Sequence, residues 1–192
     1  MSPQTSRRFR TARRIQAAAV ALASRHGLAN VTTEAIAQKA EISTRTFFNH
    51  YPYKEAAIMG PPPDYPADAA ERFASSTGRL IDDLNILIES HLSRFRGDRE
   101  MVAQITRLAS QDQKVAALFS SAILARRAQM RELLKRRLPD TDNRKIEILA
   151  AAIVGATNGA TREWVTGPDD DLISLARSYL GLIVNSAELL ND

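Results

Sequence analysis

The chain has 192 residues, of which 44% are hydrophobic, and it carries a formal net charge of +4 and no cysteine. This length and composition permit one large or two small globular domains with a packed core, while the lack of cysteine excludes disulfides and thiol chemistry. No stretch approaches the roughly 18 consecutive apolar residues of a membrane span, so we expect a cytoplasmic protein with no membrane segment.

The first predicted helix follows the basic N-terminal segment. Its apolar face has helical spacing and comprises Ile15, Ala18, Ala19 and Leu22. An alternative interpretation of this region is a twin-arginine export signal, because Arg7 and Arg8 precede a short apolar run. Gln16 interrupts that run, and the helical spacing of its apolar residues favours a structural helix over a signal.

Two short helices joined by a tight turn are predicted between residues 31 and 55. Thr32 and Thr33 are both N-cap residue types. The helix that follows them has a single apolar stripe, which comprises Ile36, Ala37 and Ala40. Ser43 is a second N-cap candidate after the turn, and Pro52 must end the second helix.

The second helix of this pair has an inward and an outward face. Phe47 and Tyr51 stand four residues apart and are predicted to point inward. The outward positions are Thr44, Arg45, Phe48, Asn49 and His50. Thr, Asn and Arg can hydrogen-bond base edges or phosphates, and a Phe can contact a thymine methyl. This face therefore predicts binding to double-stranded DNA; the alternative is an ordinary amphipathic helix, whose outer face would normally be Lys and Glu.

Charge is distributed asymmetrically along the chain. The first 60 residues hold nine Lys or Arg against three Glu, whereas the remainder holds 17 basic and 19 acidic residues. A polyanion is therefore expected to bind the N-terminal third of the chain, with an affinity that falls steeply as the salt concentration rises.

The pattern S-x-x-T-F-F-x-x-Y-P-x-K-E begins at Ser43, and a threonine pair followed by an Ile-Ala pair precedes it. With these motifs the segment from Thr11 to Ile58 resembles the TetR family of bacterial transcriptional regulators. The resemblance covers roughly the first third of the chain. It implies an all-α fold, with a three-helix DNA-binding domain that contains the helix-turn-helix in residues 1–60 and a larger helical ligand-binding and dimerisation domain in residues 61–192.

The resemblance also implies a function and a set of DNA contacts. It implies a homodimeric regulator, usually a repressor, that binds a palindromic operator and is released by a small-molecule effector. By position in the motif, the phosphate contacts are Thr33, Thr46, His50 and Lys54. The residues at or near the bases are Thr44, Arg45, Phe48 and Asn49. Arg45 is the main base-reading candidate, since a guanidinium can pair with guanine through two hydrogen bonds; a phosphate contact is its alternative role.

Three positions depart from the common family pattern. Glu41 stands in the turn where Gly is common, and a left-handed conformation costs a non-Gly residue roughly 1 kcal/mol. Phe48 replaces a common Tyr and lacks its hydroxyl. Tyr53 stands where a Ser or Asn often caps the next helix, so the helix that begins at Lys54 is expected to lack a side-chain cap.

Beyond residue 60 the pattern predicts helices without strands. Gly60 and the prolines after it must stop the helix that begins at Lys54. The apolar stripes that follow comprise Ile81, Leu84, Ile88, Leu92 and Phe95, then Met101, Ile105 and Leu108, and then Val115, Leu118, Phe119 and Ala122.

The last two predicted helices, residues 143–165 and 172–190, are the expected homodimer interface. The final helix is apolar on most of its circumference, and such a helix must be covered on all sides. We expect a second subunit to cover it; the alternative is a central position within one subunit. The residues expected to cap its N-terminus are Asp169, Asp170 and Asp171.

The effector contacts are the least constrained part of the prediction. The candidates are His91, Phe95, Arg107, Phe119, Asn158 and Thr161. The sequence has no Cys nucleophile, no Glu-x-x-His pair and no Gly-rich phosphate loop, so no catalytic residue, metal site or cofactor is predicted. The alternative to a regulator is a helical interaction or ligand-binding module that does not bind an operator.

Overall fold

The computed structural model describes residues 3–61, 64–168 and 171–189, which form α-helices and short 3₁₀ turns without any strand. This confirms the predicted all-α class. No helix in these ranges is both long and apolar enough to cross a membrane. The helices are α1 (Pro3–His26), α2 (Thr33–Lys39), α3 (Thr44–Phe48), α4 (Lys54–Met59), α5 (Ala67–Ser75), α6 (Leu80–Leu92), α7 (Arg99–Gln111), α8 (Gln113–Arg137), α9 (Asn143–Thr166) and α10 (Leu172–Glu188).

The chain forms two compact units. The first comprises Met1–Pro62 and Glu100–Ala122, and the second comprises Pro63–Arg99 and Ile123–Asp192. The domain boundary expected at residue 60 lies close to the point where the chain first passes from the first unit to the second. Residues 100–122, however, belong to the first unit. An apolar stripe shows that one face of a helix is buried, and it does not show which partner buries it.

The core of the first unit is built around α1, which packs against α2 and α4. The predicted inner face of α1 is buried, with Ile15 and Ala19 fully inaccessible. Residues from the returning segment complete this core, and they are Ile105, Leu108 and Val115. The first helix is therefore an integral part of the unit, as its apolar spacing predicted.

The turn between α2 and α3 contains a non-Gly residue in the left-handed conformation, at the position where the family commonly has Gly. Glu41 has φ 52°, and the Ile42 amide donates to the Ala37 carbonyl across the turn. A guanidinium N–H of Arg14, on α1, donates to the carbonyl of Ala40 at 2.5 Å and lies 3.4 Å from the Glu41 carboxylate. The chain thus forms the tight turn with a Glu and holds it against α1.

Glu41→Gly is expected to raise the free energy of unfolding by about 0.5–1 kcal/mol, because it removes the left-handed strain and this gain exceeds the chain entropy that Gly adds to the unfolded state. Urea unfolding measures the change. Glu41→Ala is the control, since it keeps the strain and loses only an exposed ion pair of little value. Equal stabilities of the Gly and Ala variants would contradict the assignment of strain to this residue.

The second unit contains α5, α6, the C-terminal part of α8, α9 and α10. The short helix α5 was not among the predicted stripes, although Ala69 and Phe73 stand four residues apart on it and are buried. α9 and α10 pack closely together, and a Cβ at Gly159 would lie 2.5 Å from the Tyr179 ring. Gly159 therefore permits the close approach of these two helices.

The N-terminus of α10 is capped as predicted, in part. The Asp171 carboxylate accepts hydrogen bonds from the amides of Ile173 and Ser174. A hydrogen bond from the Ser174 hydroxyl is the main cause that lowers the pKa of Asp171, and the two amide hydrogen bonds lower it further. Asp169 and Asp170 lie outside the described residues.

Candidate nucleic-acid interface and effector region

Helix α3 is a short helix that is fixed at both ends by side chains. The Ser43 hydroxyl oxygen accepts from the Thr46 amide at 3.1 Å, so Ser43 is the N-cap that the sequence predicted. Phe47 is fully buried, and Tyr51, just beyond the helix, is 5% exposed. The Tyr51 hydroxyl donates to the Ala12 carbonyl of α1 at 3.2 Å, and burial raises its pKa to about 12. The predicted inward pair thus anchors α3 to α1.

The opposite side of α3 faces outward. Arg45 and Asn49 are exposed, and Phe48 is 52% exposed although it is a large apolar residue. The Arg45 side chain makes no hydrogen bond or ion pair with the residues that the structure describes. Thr44 and Thr46 are half-buried, and the Thr46 hydroxyl lies 2.9 Å from that of Ser43. The structure therefore brings the predicted base-reading residues together on one accessible face.

His50 lies at the end of this face, close to the N-terminal part of α1. Burial lowers the pKa of His50, and the positive charge of Arg8 lowers it further. The ring is therefore neutral at pH 7, and a neutral imidazole can still donate one hydrogen bond. The effect of Arg8 on His50 shows that a basic side chain of α1 borders the outward face of α3.

Two of the predicted phosphate contacts lie away from α3. Thr33 is the first residue of α2 and is half-buried. The Lys54 ammonium donates to the carbonyls of Leu28 at 2.7 Å and Val31 at 2.9 Å, so it ties α4 to the 3₁₀ turn before α2. An ammonium has three N–H donors, and two of them are used by these carbonyls. A phosphate contact by Lys54 would use the third N–H, and it remains a prediction.

The structure does not bring the six effector candidates into a single group. Arg107 is exposed on α7 and Phe119 is half-buried on α8, and both belong to the first unit. Asn158 and Thr161 are half-buried on α9 in the second unit, where the Thr161 hydroxyl donates to the Thr157 carbonyl. His91 and Phe95 are neighbours in the second unit, with ring centroids 6.0 Å apart.

His91 is the most unusual of these residues because it is a fully buried histidine. The Tyr65 ring lies 4.9 Å from the His91 ring, between centroids. Burial lowers the pKa of His91 to about 2, and the charges of Arg126 and then Arg94 act in the same direction. Sequence reasoning missed Tyr65 and Arg126. The available signal was that Arg126 precedes the buried Met130 by four residues and therefore shares its helical face.

The buried His91 predicts a pH-dependent stability. An unfolded histidine titrates near pH 6.5, so below that pH the unfolded chain binds a proton that the folded chain does not, and stability falls as the pH falls. Between pH 6.5 and pH 5 this loss is expected to reach about 2 kcal/mol.

Urea unfolding of the wild type and of His91→Gln at both pH values measures the effect. Gln cannot titrate but can accept a hydrogen bond from Arg94, so this variant should lose most of that pH dependence. Any pH dependence that comes from His50 remains in both proteins. An unchanged slope in His91→Gln would show that His91 is not the group responsible.

The second unit also has a cleft of about 400 Å³ next to the N-terminus of α10. It is lined by Leu92, Arg96, Gly97, Trp164, Asp171, Leu172 and Ile173. Trp164 is 3% exposed, so most of its ring belongs to the core of the unit.

Comparison with known proteins extends these observations. Residues 15–56 match the family described as bacterial regulatory proteins, tetR family. The solved structure of FadR from Thermus thermophilus, a TetR-family transcriptional repressor in complex with lauroyl-CoA, is 24% identical with a TM-score of 0.58, over 90% of this chain and 92% of that one.

Two further structures are similar over nearly their whole length. The fatty acid degradation regulator FadR from Bacillus halodurans is 18% identical with a TM-score of 0.57, over 91% of this chain and 94% of that one. PfmR, a TetR-family transcriptional regulator also from Thermus thermophilus, is 16% identical with a TM-score of 0.54, over 89% and 97%. No curated protein matches the chain. At these identities the structural matches show a shared fold.

Proposed function

We propose that this chain, which belongs to the TetR family of bacterial regulatory proteins, binds a palindromic operator as a homodimer and represses transcription until a small-molecule effector releases it. The observation that carries the proposal is the construction of α3. Its apolar residues anchor it to α1, while Arg45, Phe48 and Asn49 are presented to solvent. A polar face of this kind on the second helix of a helix-turn-helix is suited to the major groove.

The proposed contacts follow from where each side chain lies. Arg45 and Asn49 would read base edges. Phe48 would contact a thymine methyl or sugar, and this apolar contact would replace the hydrogen bond that a Tyr hydroxyl could make. Thr44 would also lie at or near the bases. Thr33, Thr46, His50 and Lys54 would contact phosphates, which fix the position of the protein on the duplex without reading sequence.

A homodimer through α9 and α10 is supported by the apolar surface that these helices leave exposed. One side of α10 is buried against the second unit, including Ile173 and Leu180. The other side exposes Leu182 to 50% and Val184 to 67%, and Ile148 on α9 is 71% exposed. Exposed large apolar residues grouped on two packed helices are typical of an interface. A two-fold dimer would place two copies of α3 in successive major grooves.

The effector is proposed to bind in the second unit. T. thermophilus FadR, which shares the fold, was solved in complex with lauroyl-CoA, and this supports a small-molecule ligand without identifying it here. Helix α8 runs continuously from the first unit into the second. In the first unit the Lys114 ammonium of α8 lies 3.8 Å from the Glu55 carboxylate of α4. We assign the chain no catalytic activity and expect it to act in the cytoplasm, where its DNA is.

Titration against DNA tests the proposal. A fluorescent duplex from the region upstream of the chain's own reading frame should bind roughly a thousandfold more tightly than an unrelated duplex of equal length. Raising the salt from roughly 50 to 200 mM should weaken that binding by about a thousandfold or more. Equal, weak binding to both duplexes would favour an interaction or ligand-binding module that does not use an operator.

A further inference from the structure

Buried hydrogen-bond donors are concentrated around His91. Arg94 donates to His91 Nδ1 at 3.0 Å, and because a guanidinium has no acceptor, Nδ1 must be the unprotonated nitrogen. The proton is therefore on Nε2, which is buried and has no hydrogen-bond partner among the described residues. The Asp64 carbonyl accepts from Arg94. It also interacts with the His91 ring and acts to raise the pKa of His91, but it makes no full hydrogen bond to Nε2. The Tyr65 hydroxyl, on a residue 7% exposed, likewise has no partner within the described chain.

A buried cationic donor lies in the same neighbourhood. Arg126 Nε is shielded from solvent, and within the described ranges it has no hydrogen-bond partner. Gln129, three residues further along α8, donates to the Asp64 carboxylate at 2.5 Å, so this part of α8 lies against the segment that holds Asp64 and Tyr65. The positive charge of Arg126 also acts on His91. Burial is the main cause that lowers the pKa of Arg126. The guanidinium nevertheless remains charged at neutral pH, because arginine does not deprotonate in proteins.

The three donors of this cluster, on Tyr65, His91 and Arg126, are shielded from solvent and lack partners among the described residues. The nearby Asp64 carboxylate already accepts a hydrogen bond from Gln129 at 2.5 Å. Buried polar groups in folded proteins are almost always hydrogen-bonded, and buried charges are usually paired. Three shielded donors, one of them on a cationic side chain, therefore call for one kind of partner, an anion with several acceptor oxygens.

We propose that Tyr65, His91 and Arg126 form a binding site for the oxyanion group of a small organic ligand, and that this ligand is the effector; the second part rests on the function proposed above. The oxyanion accepts from the Tyr65 hydroxyl, from His91 Nε2 and from the Arg126 guanidinium. The aromatic rings of Tyr65 and Phe95 both lie next to His91, so we expect the part of the ligand next to the oxyanion to be apolar. A carboxylate and a phosphate monoester share this chemistry.

Calorimetric titration of the full-length protein with defined probes tests the site. The carboxylates are benzoate and octanoate, the phosphate is phenyl phosphate, and the neutral counterparts are benzyl alcohol and octan-1-ol. At least one of the three anions should bind the wild type, and its neutral counterpart should bind at least about tenfold more weakly, as expected for the loss of a charge-assisted hydrogen bond. A preference for benzoate and octanoate or for phenyl phosphate identifies the head group.

Two variants and a matched control locate the binding. Arg126→Met should weaken binding of the anion by roughly tenfold or more. Arg127→Met makes the same change in charge one residue along α8, where the side chain pairs with Glu147 at 3.3 Å, and should leave the affinity within about twofold. Tyr65→Phe keeps the ring and removes a hydroxyl that has no partner among the described residues, so it should unfold at the same temperature as the wild type while binding the anion several-fold more weakly.

Any one of three results would overturn the site. The first is that no anion of the panel binds the wild type. The second is that Arg126→Met and Arg127→Met bind the anion equally, and the third is that Tyr65→Phe loses stability without losing affinity for the anion.

Operator titrations separate the two parts of the proposal. Ligand-free Arg126→Met should bind operator DNA like the wild type but should no longer be released by the anion. If the anion binds at Arg126 and the wild type stays on the operator, the site stands and its role as effector site is wrong. If no DNA binds at all, the proposed function fails, and calorimetry still decides the site.

Discussion

Val184→Arg is expected to convert the dimer into a monomer and to weaken operator binding by roughly a hundredfold or more, the loss that follows when two linked binding sites become independent. Val184 is 67% exposed on α10, so an arginine there does not disturb the packing of the subunit itself. In a two-fold interface each subunit would bury one unpaired charge, which costs several kcal/mol. Sedimentation velocity measures the mass, and fluorescence anisotropy measures the affinity for the operator duplex.

Leu124→Arg is the matched control for this variant. Leu124 is also a large exposed apolar residue, 64% exposed, but it lies on α8 rather than on α9 or α10. It should remain dimeric and bind the operator with wild-type affinity. A dimeric Val184→Arg, or a Leu124→Arg that dissociates, would place the subunit interface elsewhere.

Arg45→Ala is expected to weaken operator binding by about 1–3 kcal/mol, or roughly 5- to 150-fold, and to relax the preference for the base that the guanidinium reads. Because the Arg45 side chain is exposed and makes no hydrogen bond or ion pair within the described residues, its removal should change the free energy of unfolding by no more than about 0.5 kcal/mol. Titrations with duplexes that carry single base-pair changes at each operator position measure the preference.

Arg25→Ala controls for the loss of one positive charge from the first unit. Arg25 is exposed in the last turn of α1, and its side chain makes no hydrogen bond or ion pair in the described part of the chain. It should retain the full sequence preference. An Arg45→Ala protein that binds more weakly but prefers the same bases, with a salt dependence reduced by about one phosphate contact, would assign Arg45 to the phosphate backbone. That result would contradict the base-reading role.

The first unit could be predicted from the sequence in most of its functional details. The N-cap at Ser43, the inward pair Phe47 and Tyr51, and the uncapped start at Lys54 all depend on local geometry, and each appears in the structure. Glu41 was different, because a Glu in place of the common Gly left open whether the turn would be equally tight, and the structure keeps it left-handed. Local rules succeed here because caps, turns and helical periodicity involve residues only a few positions apart.

The second unit was harder to predict because its site depends on contacts between distant helices. Tyr65, His91 and Arg126 come from three separate segments, and no spacing pattern relates them. The sequence did single out His91 as an effector candidate, but it grouped Arg107 and Phe119 with it, and these two residues lie in the first unit. The pattern of a single helix shows which side is buried, and only the fold shows what that side meets.

Hydroxyl-radical footprinting on the upstream region is the most direct test of whether α3 enters a duplex from a dimeric protein. We expect two protected segments related by a two-fold axis, with centres separated by about 10 bp or by a multiple of one helical turn. A dimeric protein that leaves this DNA uniformly cleaved at low salt, or that protects one segment without a symmetric partner, would contradict it.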